Sequence, residues 1–376
     1  FFIYSKKINT NKVFLVVLIF FSGVLISKTH EDFSVYHFQH IKEISDQFIK
    51  FGLSNLDERY IYSSNFSYLQ SMTNVPFFNL KLVNIPTFAM FFSLLGYLAI
   101  EIIDKKSVKK FICYFFLTFL IIKYKRFSEF GYDYPGQFLL LFLFIEYIYE
   151  KKNNLFKNIS FFLLFLISLL IKLTNIYFLP FLIYYIFYKK IDFKKIITNK
   201  VLILFSVLIF TTFSLNSFMK TGCLNYLIKS SCFSNEKSGW AINHKQINDV
   251  KKLTKNWARG FYHQKGDKIN EIDYNKELNW FPNWFDVHFK IKILPFVTIT
   301  IILFILIRFL ISDNRSYNHQ KQDQNMLYTT CIFSLLLWLM YFPQARFGFF
   351  VIILTVYLSL KKIFGYSNKI DIKKSF

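Results

Sequence analysis

Residues 13–32 read VFLVVLIFFSGVLISKTHED, an apolar run that passes directly into a polar and charged segment. A run of this kind is typical of a membrane-spanning helix whose end lies at the membrane surface. Nine further apolar runs follow, so the sequence predicts an all-α polytopic membrane protein with about ten transmembrane helices. The predicted spans are about 13–26, 83–103, 111–122, 134–149, 158–171, 176–188, 201–215, 293–311, 326–342 and 347–360.

The composition favours the same class. Of the 376 residues, 54% are apolar and 18% are charged, whereas a soluble domain is about 25% charged. The low content of Gly and Pro excludes collagen-like and low-complexity chains, and four Cys are too few for a disulfide scaffold. The sequence has no P-loop, dinucleotide fingerprint, zincin motif or nucleophile elbow. If the protein is an enzyme, we therefore expect its chemistry at the outer face.

The formal net charge of +23 is a second feature that needs an explanation. Such a charge can indicate nucleic-acid binding, but here the basic residues lie in short clusters between apolar runs, as in cytoplasmic membrane loops. With a cytoplasmic N-terminus, 23 Lys and Arg residues lie inside and five lie on short outside turns. We therefore expect an inner (plasma) membrane protein with both termini cytoplasmic and no nucleic-acid partner.

This orientation divides the chain into three parts. Residues 1–215 form an N-terminal transmembrane module, in which residues 27–82 lie outside and carry an amphipathic helix in the plane of the membrane. Residues 216–292 form a second extracytoplasmic segment, a small lid before the eighth helix. Residues 293–376 form the last transmembrane helices and a short basic cytoplasmic tail.

Candidate site residues follow the first span directly: Glu31 and Asp32 are the catalytic candidates, and His30 beside them is a substrate-binding candidate. Adjacent carboxylates at the membrane edge suit a general base or a site for a hard cation such as Mg²⁺ or Mn²⁺. The alternative is that these are solvated loop charges and that Asp32 caps the next helix.

Three outside turns carry candidate substrate-binding residues. Arg346 lies between Pro343 and Gly348 in a turn that can present its guanidinium to phosphate, although contact with lipid headgroups is an equal alternative. Lys172 interrupts an apolar stretch, where it either binds phosphate or only marks the topology. Asp133 precedes the fourth helix, where starting the helix is the alternative to a role in the active site.

The second outside segment carries aromatic and sulfur-containing candidates. Trp280 and Trp284 can stack on a sugar or anchor the chain at the interface. Cys223 and Cys232 lie in the same segment, where an oxidising compartment favours a disulfide. His37 and His40, at helical spacing in the first outside segment, are expected to pack rather than to bind a metal.

Taken in order, these stretches resemble the GT-C-type integral membrane glycosyltransferases, and more narrowly a bacterial group of polysaccharide-associated membrane proteins. The resemblance covers about residues 13–360. It rests on Glu31-Asp32 through His40, 51–56 with Arg59, 133–135, 172–174, 221–223, Trp280 with Trp284, and Pro343 with Arg346-Phe347.

The resemblance implies transfer of a hexose or pentose from a polyprenyl-phosphate donor to a glycan or lipid acceptor at the outer face, in cell-surface polysaccharide biosynthesis. It implies that Asp32 is the catalytic base or a metal ligand, with Glu31 as the second candidate. It also implies that Arg346 and Lys172 recognise the lipid phosphate. Because no large C-terminal domain follows the last predicted helix, we expect residues 216–292 to recognise the acceptor.

Three alternatives remain at this point: a polysaccharide polymerase or ligase, a transporter, and a non-catalytic polysaccharide assembly protein. Transporters commonly use helices interrupted by Gly or Pro and charges within the membrane. Here Gly and Pro are scarce, and the acidic residues within helices reduce to Glu101 and Glu146.

Overall fold

The apolar runs of the sequence form helices in the computed structural model. The structure describes residues 10–25, 32–46, 50–62, 64–73, 83–104, 107, 109–127, 131–149, 154–188, 191–233, 238–264, 269–310 and 321–367. Within these ranges the regular structure is helical and no β-strand forms. The predicted all-α class is therefore confirmed for the described part of the chain.

Sixteen α-helices are described in these ranges. They are α1 (Thr10–Leu25), α2 (Phe38–Asp46), α3 (Phe66–Met72), α4 (Ile85–Ile103), α5 (Lys110–Phe127), α6 (Asp133–Tyr149), α7 (Leu155–Ile171), α8 (Leu179–Tyr188), α9 (Phe193–Ile197), α10 (Lys200–Thr221), α11 (His244–Arg259), α12 (Glu271–Asn275), α13 (Phe281–Trp284), α14 (Leu294–Leu310), α15 (Lys321–Tyr341) and α16 (Ala345–Ser367). Short 3-10 or π-helical segments occur at Phe33–His37, Leu53–Asn55, Glu58–Tyr62, Leu173–Phe178, Lys229–Ser231, Phe261–His263 and Phe285–Ile293.

Three helices of the described residues are long and apolar enough to cross a membrane: Ile85–Ile103, Lys200–Thr221 and the continuous helix Phe281–Phe309. The prediction of about ten spans is not met by this criterion. Several of the other apolar runs form helices of 10–17 residues, such as Leu155–Ile171 and Leu173–Tyr188. At 1.5 Å per residue, 17 residues reach about 25 Å, which is less than the ~30 Å hydrocarbon core.

Polar residues at the helix ends explain where α10 starts and stops. The Asn199 side chain accepts a hydrogen bond from the backbone N–H of Leu202, 3.1 Å away, which caps the first turn. At the other end Gly222 has φ 77°, a left-handed conformation that glycine adopts without strain and that commonly ends helices. The helix thus extends six residues beyond the predicted 201–215.

Buried aromatic rings hold the bundle together. The core between α4, α5 and α6 contains Phe91, Phe116, Phe138 and Phe144, each at most 2% exposed. Rings of this size bury a large apolar area each, so they dominate the packing. This core fixes the position of α6 relative to its neighbours, and α6 begins at one of the predicted site residues.

Candidate functional site

Four charged side chains from distant parts of the sequence meet at one end of the helix bundle. Asp32 directly precedes the helical segment Phe33–His37, and Asp133 is the first residue of α6. Lys172 directly follows α7, and Arg346 is the second residue of α16. Each candidate therefore lies at or next to a helix end, where charged side chains from different helices can come together.

The four side chains form a chain of ion pairs, which we call the charged cluster. Arg346 Nη1 donates a hydrogen bond to Asp32 Oδ2 at 3.0 Å, and Arg346 Nε lies 3.8 Å from Asp133 Oδ2. Lys172 Nζ lies 2.7 Å from Asp133 Oδ1. The structure thus brings together four of the residues that the sequence analysis selected.

The turn that carries Arg346 is fixed by hydrogen bonds to its backbone. Gln137 Nε2 donates to the carbonyl oxygen of Arg346 at 2.7 Å, and Trp284 Nε1 donates to the carbonyl oxygen of Pro343 at 2.6 Å. The Trp338 indole lies so close to Gly348 that a Cβ there would be 2.4 Å from Trp338 Nε1. The sequence analysis did not select Gln137, although it lies one helical turn after Asp133.

The turn that carries Lys172 is held by polar side chains as well. Asn175 Nδ2 donates to the carbonyl oxygen of Ser168 at 2.8 Å, and the Ser64 hydroxyl donates to the carbonyl oxygen of Ile171. A Cβ at Gly136 would be 2.1 Å from Asn175 Nδ2, so only glycine allows α6 to approach this turn so closely. These contacts position Lys172 opposite Asp133.

The two ion pairs of the charged cluster differ in exposure. The side chains of Lys172 and Asp133 are 18% and 17% exposed, whereas those of Arg346 and Asp32 are 38% and 32% exposed. Burial raises the pKa of Asp133, but the nearby positive charges of Lys172 and Arg346 outweigh burial and leave this pKa below its ordinary value. Burial lowers the pKa of Lys172, and Asp133 offsets part of that effect.

Aromatic residues line the cluster, and the sequence analysis did not assign them to the site. Lys172 Nζ lies 4.7 Å from the ring centroid of Tyr132 and 4.8 Å from that of Phe347. The His37 ring packs edge-on against Tyr132 at 5.1 Å, as expected for a packing histidine. Burial lowers the pKa of His37 to about 4, with Asp133 and Lys172 acting in opposite directions. His37 is therefore neutral beside the charged pairs at neutral pH.

The remaining predicted residues lie elsewhere. Trp280 and Trp284 are 2% and 3% exposed, so neither presents a ring face to an incoming sugar in this structure. Trp280 lies beneath the Arg259 guanidinium, 4.6 Å from its ring centroid, and Trp284 supports the Pro343 turn. Trp284 therefore stabilises the turn that carries Arg346, whereas Trp280 packs against Arg259.

Cys223 and Cys232 form a disulfide in the segment after α10. His30 and Glu31 lie outside the described residues. Within the described ranges, no group of three or more His, Cys, Asp or Glu side chains is placed to hold a metal ion. The charged cluster contains two carboxylates, those of Asp32 and Asp133. Two carboxylates are a donor set that Mg²⁺ uses when substrate phosphates supply further oxygens.

Comparison with known proteins identifies a family and no individual relative. No curated protein and no solved structure matches the chain. A family described as a domain of unknown function, DUF8201, matches at residues 2–353. Because this match covers nearly the whole sequence, the chain belongs to the DUF8201 family.

Proposed function

We propose that the protein is a membrane glycosyltransferase of GT-C-like architecture that uses a polyprenyl-phosphate-linked sugar. The donor sugar is transferred to a glycan or lipid acceptor at the outer face of the membrane, in cell-surface polysaccharide biosynthesis. The single observation that supports this most is the convergence of Asp32, Asp133, Lys172 and Arg346 at one end of the bundle. A phosphate clamp and an acid–base carboxylate are then adjacent.

The two cations of the charged cluster suit the phosphate of the donor. Arg346 offers a planar fork of N–H donors, and Lys172 offers a compact charge. Both are now paired with carboxylates, so the donor phosphate takes the place of Asp32 on Arg346 when it binds. The Arg346–Asp32 pair is the more exposed of the two, and a pair closer to solvent costs less to separate than a buried one.

Separation of that pair leaves the Asp32 carboxylate next to the reacting sugar. An acceptor hydroxyl oxygen attacks the anomeric carbon, and the bond between this carbon and the phosphate oxygen breaks. The electron pair of that bond leaves with the lipid phosphate, whose charge Arg346 and Lys172 stabilise. The proton of the attacking hydroxyl passes to Asp32, which acts as the general base.

A divalent cation fits this proposal when the donor is bound. Asp32 and Asp133 would hold it together with phosphate oxygens, where it would stabilise the charge of the leaving phosphate. Asp133 otherwise orients Lys172, which its carboxylate contacts at 2.7 Å.

We also propose how the chain is arranged in the membrane. The short apolar helices complete about ten crossings of the plasma membrane by packing inside the bundle or beside a thinned bilayer. Both termini are cytoplasmic, and residues 27–82 and 216–292 lie outside. The segment after α10 recognises the acceptor.

The test is transfer of a radiolabelled sugar from a polyprenyl-phosphate donor by the purified protein in lipid nanodiscs. We expect Asp32→Asn to lower the rate of transfer by a factor of about 10²–10⁴, because the amide cannot accept the proton. Asp286→Asn is the matched control, since Asp286 is half-exposed and paired with Lys290 on the helix surface. Normal transfer by Asp32→Asn would reject the role of Asp32, and absence of transfer by the wild-type protein with any tested donor would reject the function. The length of the product separates transfer of one sugar from polymerisation.

A further inference from the structure

The disulfide between Cys223 and Cys232 closes a short loop that has an apolar surface. We call residues 222–233 the disulfide loop. Four large apolar side chains of this loop are between 48% and 53% exposed: Leu224, Leu227, Ile228 and Phe233. Apolar side chains that cluster at a surface mark contact with another protein, a ligand or a membrane. The disulfide loop therefore has a surface that calls for a partner.

The base of the disulfide loop is fixed to the neighbouring elements. Tyr226 is 7% exposed, and its ring packs edge-on against Tyr62 with 5.4 Å between the ring centroids. Tyr226 also belongs to a buried apolar cluster that contains Ile247 and Val250 of α11. Because Tyr226 is the residue that packs inward, its neighbour Leu227 remains on the outer surface of a firmly attached loop.

Hydrogen bonds within the disulfide loop satisfy backbone groups of its apolar residues. The backbone N–H of Leu224 donates to the carbonyl oxygen of Ser231 at 3.0 Å. At the tip, the N–H of Leu227 donates to Asn225 Oδ1 at 3.0 Å, and the N–H of Ile228 donates to the carbonyl oxygen of Asn225 at 2.9 Å. An unpaired backbone group is costly to move out of water, so these internal bonds allow the tip to enter an apolar medium.

The position of the disulfide loop relative to α10 indicates which partner covers it. The 22 residues of α10 reach about 33 Å at 1.5 Å per residue, enough for the ~30 Å hydrocarbon core. Only 17% of the apolar window of this helix is buried, and Leu215 near its end is 53% exposed. The loop follows α10 directly, so it begins where the helix leaves the hydrocarbon core. Its apolar surface therefore continues the surface that α10 presents to lipid.

We infer that the tip of the disulfide loop inserts into the phospholipid leaflet at the end of α10, which is the outer leaflet in the orientation proposed above. Leu224, Leu227 and Ile228 enter the region between the headgroups and the acyl chains, about 5–10 Å deep for an interfacial segment. Lys229 is exposed beside them, where its ammonium suits the negatively charged phosphate of a headgroup. The inference depends on α10 crossing the membrane and is independent of the transferase function.

The test measures the depth of a fluorescent label and does not require transfer. The full chain with Ile228→Cys carries a nitrobenzoxadiazole label in phosphatidylcholine nanodiscs, and mass spectrometry verifies that the native disulfide is intact. We expect quenching by about twofold or more when the lipid carries a nitroxide near the top of its acyl chain, and little quenching by aqueous iodide. The control is Lys252→Cys with the same label, because Lys252 is exposed on the face of α11 opposite Ile247 and Val250. Its label should show the reverse pattern.

A second substitution tests whether the apolar tip drives insertion. Leu227→Asp should lower the lipid quenching of the Ile228 label, because a carboxylate is costly to move below the headgroups. Leu278→Asp, at a leucine that is 66% exposed elsewhere in the segment, should leave this quenching unchanged. Where the new thiol breaks the native disulfide, benzoylphenylalanine replaces Ile228, and mass spectrometry should find its photochemical crosslink on phospholipid.

Three results would overturn the inference. One is an Ile228 label that iodide quenches as strongly as the Lys252 label. Another is protection of the Ile228 label from both quenchers, or a crosslink to protein alone, since a protein such as a second copy would then cover the loop. The third is equal lipid quenching with and without Leu227→Asp. Asp32→Asn should keep the lipid quenching while it loses transfer, so failure of insertion and failure of the proposed function give different results.

Discussion

The guanidinium of Arg346 lies 3.0 Å from the carboxylate of Asp32, although 314 positions separate the two residues in sequence. Arg346 also approaches Asp133, which is paired with Lys172, so one arginine connects carboxylates from two separate helix ends. The geometry gives the cluster equal numbers of positive and negative groups. In the proposed function, the donor phosphate would therefore have to compete with carboxylates for these cations.

Replacement of Arg346 by Lys tests whether the fork of donors is needed. Arg346 Nη1 contacts Asp32, while Nε contacts Gln344 Oε1 at 3.1 Å, and a single ammonium cannot reproduce both directions. We expect Arg346→Lys to raise the KM for the lipid-phosphate donor about tenfold or more and to lower kcat as well, because Arg346 also stabilises the charge of the leaving phosphate in the proposed reaction. Steady-state kinetics with the purified protein measure this. An unchanged KM would show that Arg346 does not bind the donor.

The Lys172–Asp133 pair is expected to be strongly coupled in stability. Both side chains are less than one-fifth exposed. Loss of Lys172 leaves the Asp133 carboxylate with Arg346 as its compensating charge, whereas loss of Asp133 leaves the Lys172 ammonium beside the like charge of Arg346, with Asp32 offsetting part of it. Lys172→Met and Asp133→Asn should each lower the melting temperature and the free energy of unfolding. The double variant should lose less free energy of unfolding than the two single variants lose together. The expected coupling is about 0.5–3 kcal/mol. Strict additivity in a double-mutant cycle would contradict the pairing.

Part of this arrangement was predictable from the sequence and part was not. The helix Asp133–Tyr149 agrees with the predicted span 134–149, because an uninterrupted apolar run determines it. The helix Phe281–Phe309 begins twelve residues before the predicted 293, since Asp286, Lys290 and Lys292 interrupt the apolar residues of its first turns. Contact between Asp32 and Arg346 depends on packing of the whole bundle, which no local pattern encodes. Trp280 and Trp284 are residues of the type that stacks on sugars, but both are buried, and this burial results from packing that the sequence alone does not show.

Protonation of His37 should destabilise the protein as the pH falls. Its pKa is about 4 in the folded protein, against an ordinary value of 6.5. Between these values the unfolded chain binds the proton and the folded chain does not, so stability is complete above pH 6.5 and is lost towards pH 4. The loss from this group is about 3 kcal/mol. His37→Gln should flatten the dependence of the melting temperature on pH in this window. An unaltered slope would show that His37 does not contribute.

The disulfide between Cys223 and Cys232 should stabilise the segment after α10. It closes a loop with a sequence separation of 9 residues, which by chain entropy is worth about 2–3 kcal/mol. We expect mass spectrometry without reductant to find both sulfurs bridged, and the double Ser variant to melt at a lower temperature. Free thiols at both positions in protein isolated without reductant would reject the disulfide.

The proposed topology can be tested by labelling introduced cysteines, because the four native cysteines should not react with a maleimide. Cys113 and Cys331 are fully buried and Cys223 is bridged to Cys232, so a membrane-impermeant maleimide should not label the wild-type chain. Lys245 and Lys194 both lie exposed, on α11 and α9. The 23-to-5 distribution of basic residues predicts that Lys245 faces outside and Lys194 faces the cytoplasm. In intact spheroplasts Lys245→Cys should therefore be labelled, whereas Lys194→Cys should be labelled only after permeabilisation. The opposite pattern would place the charged cluster on the cytoplasmic side, where a donor at the outer face cannot reach it.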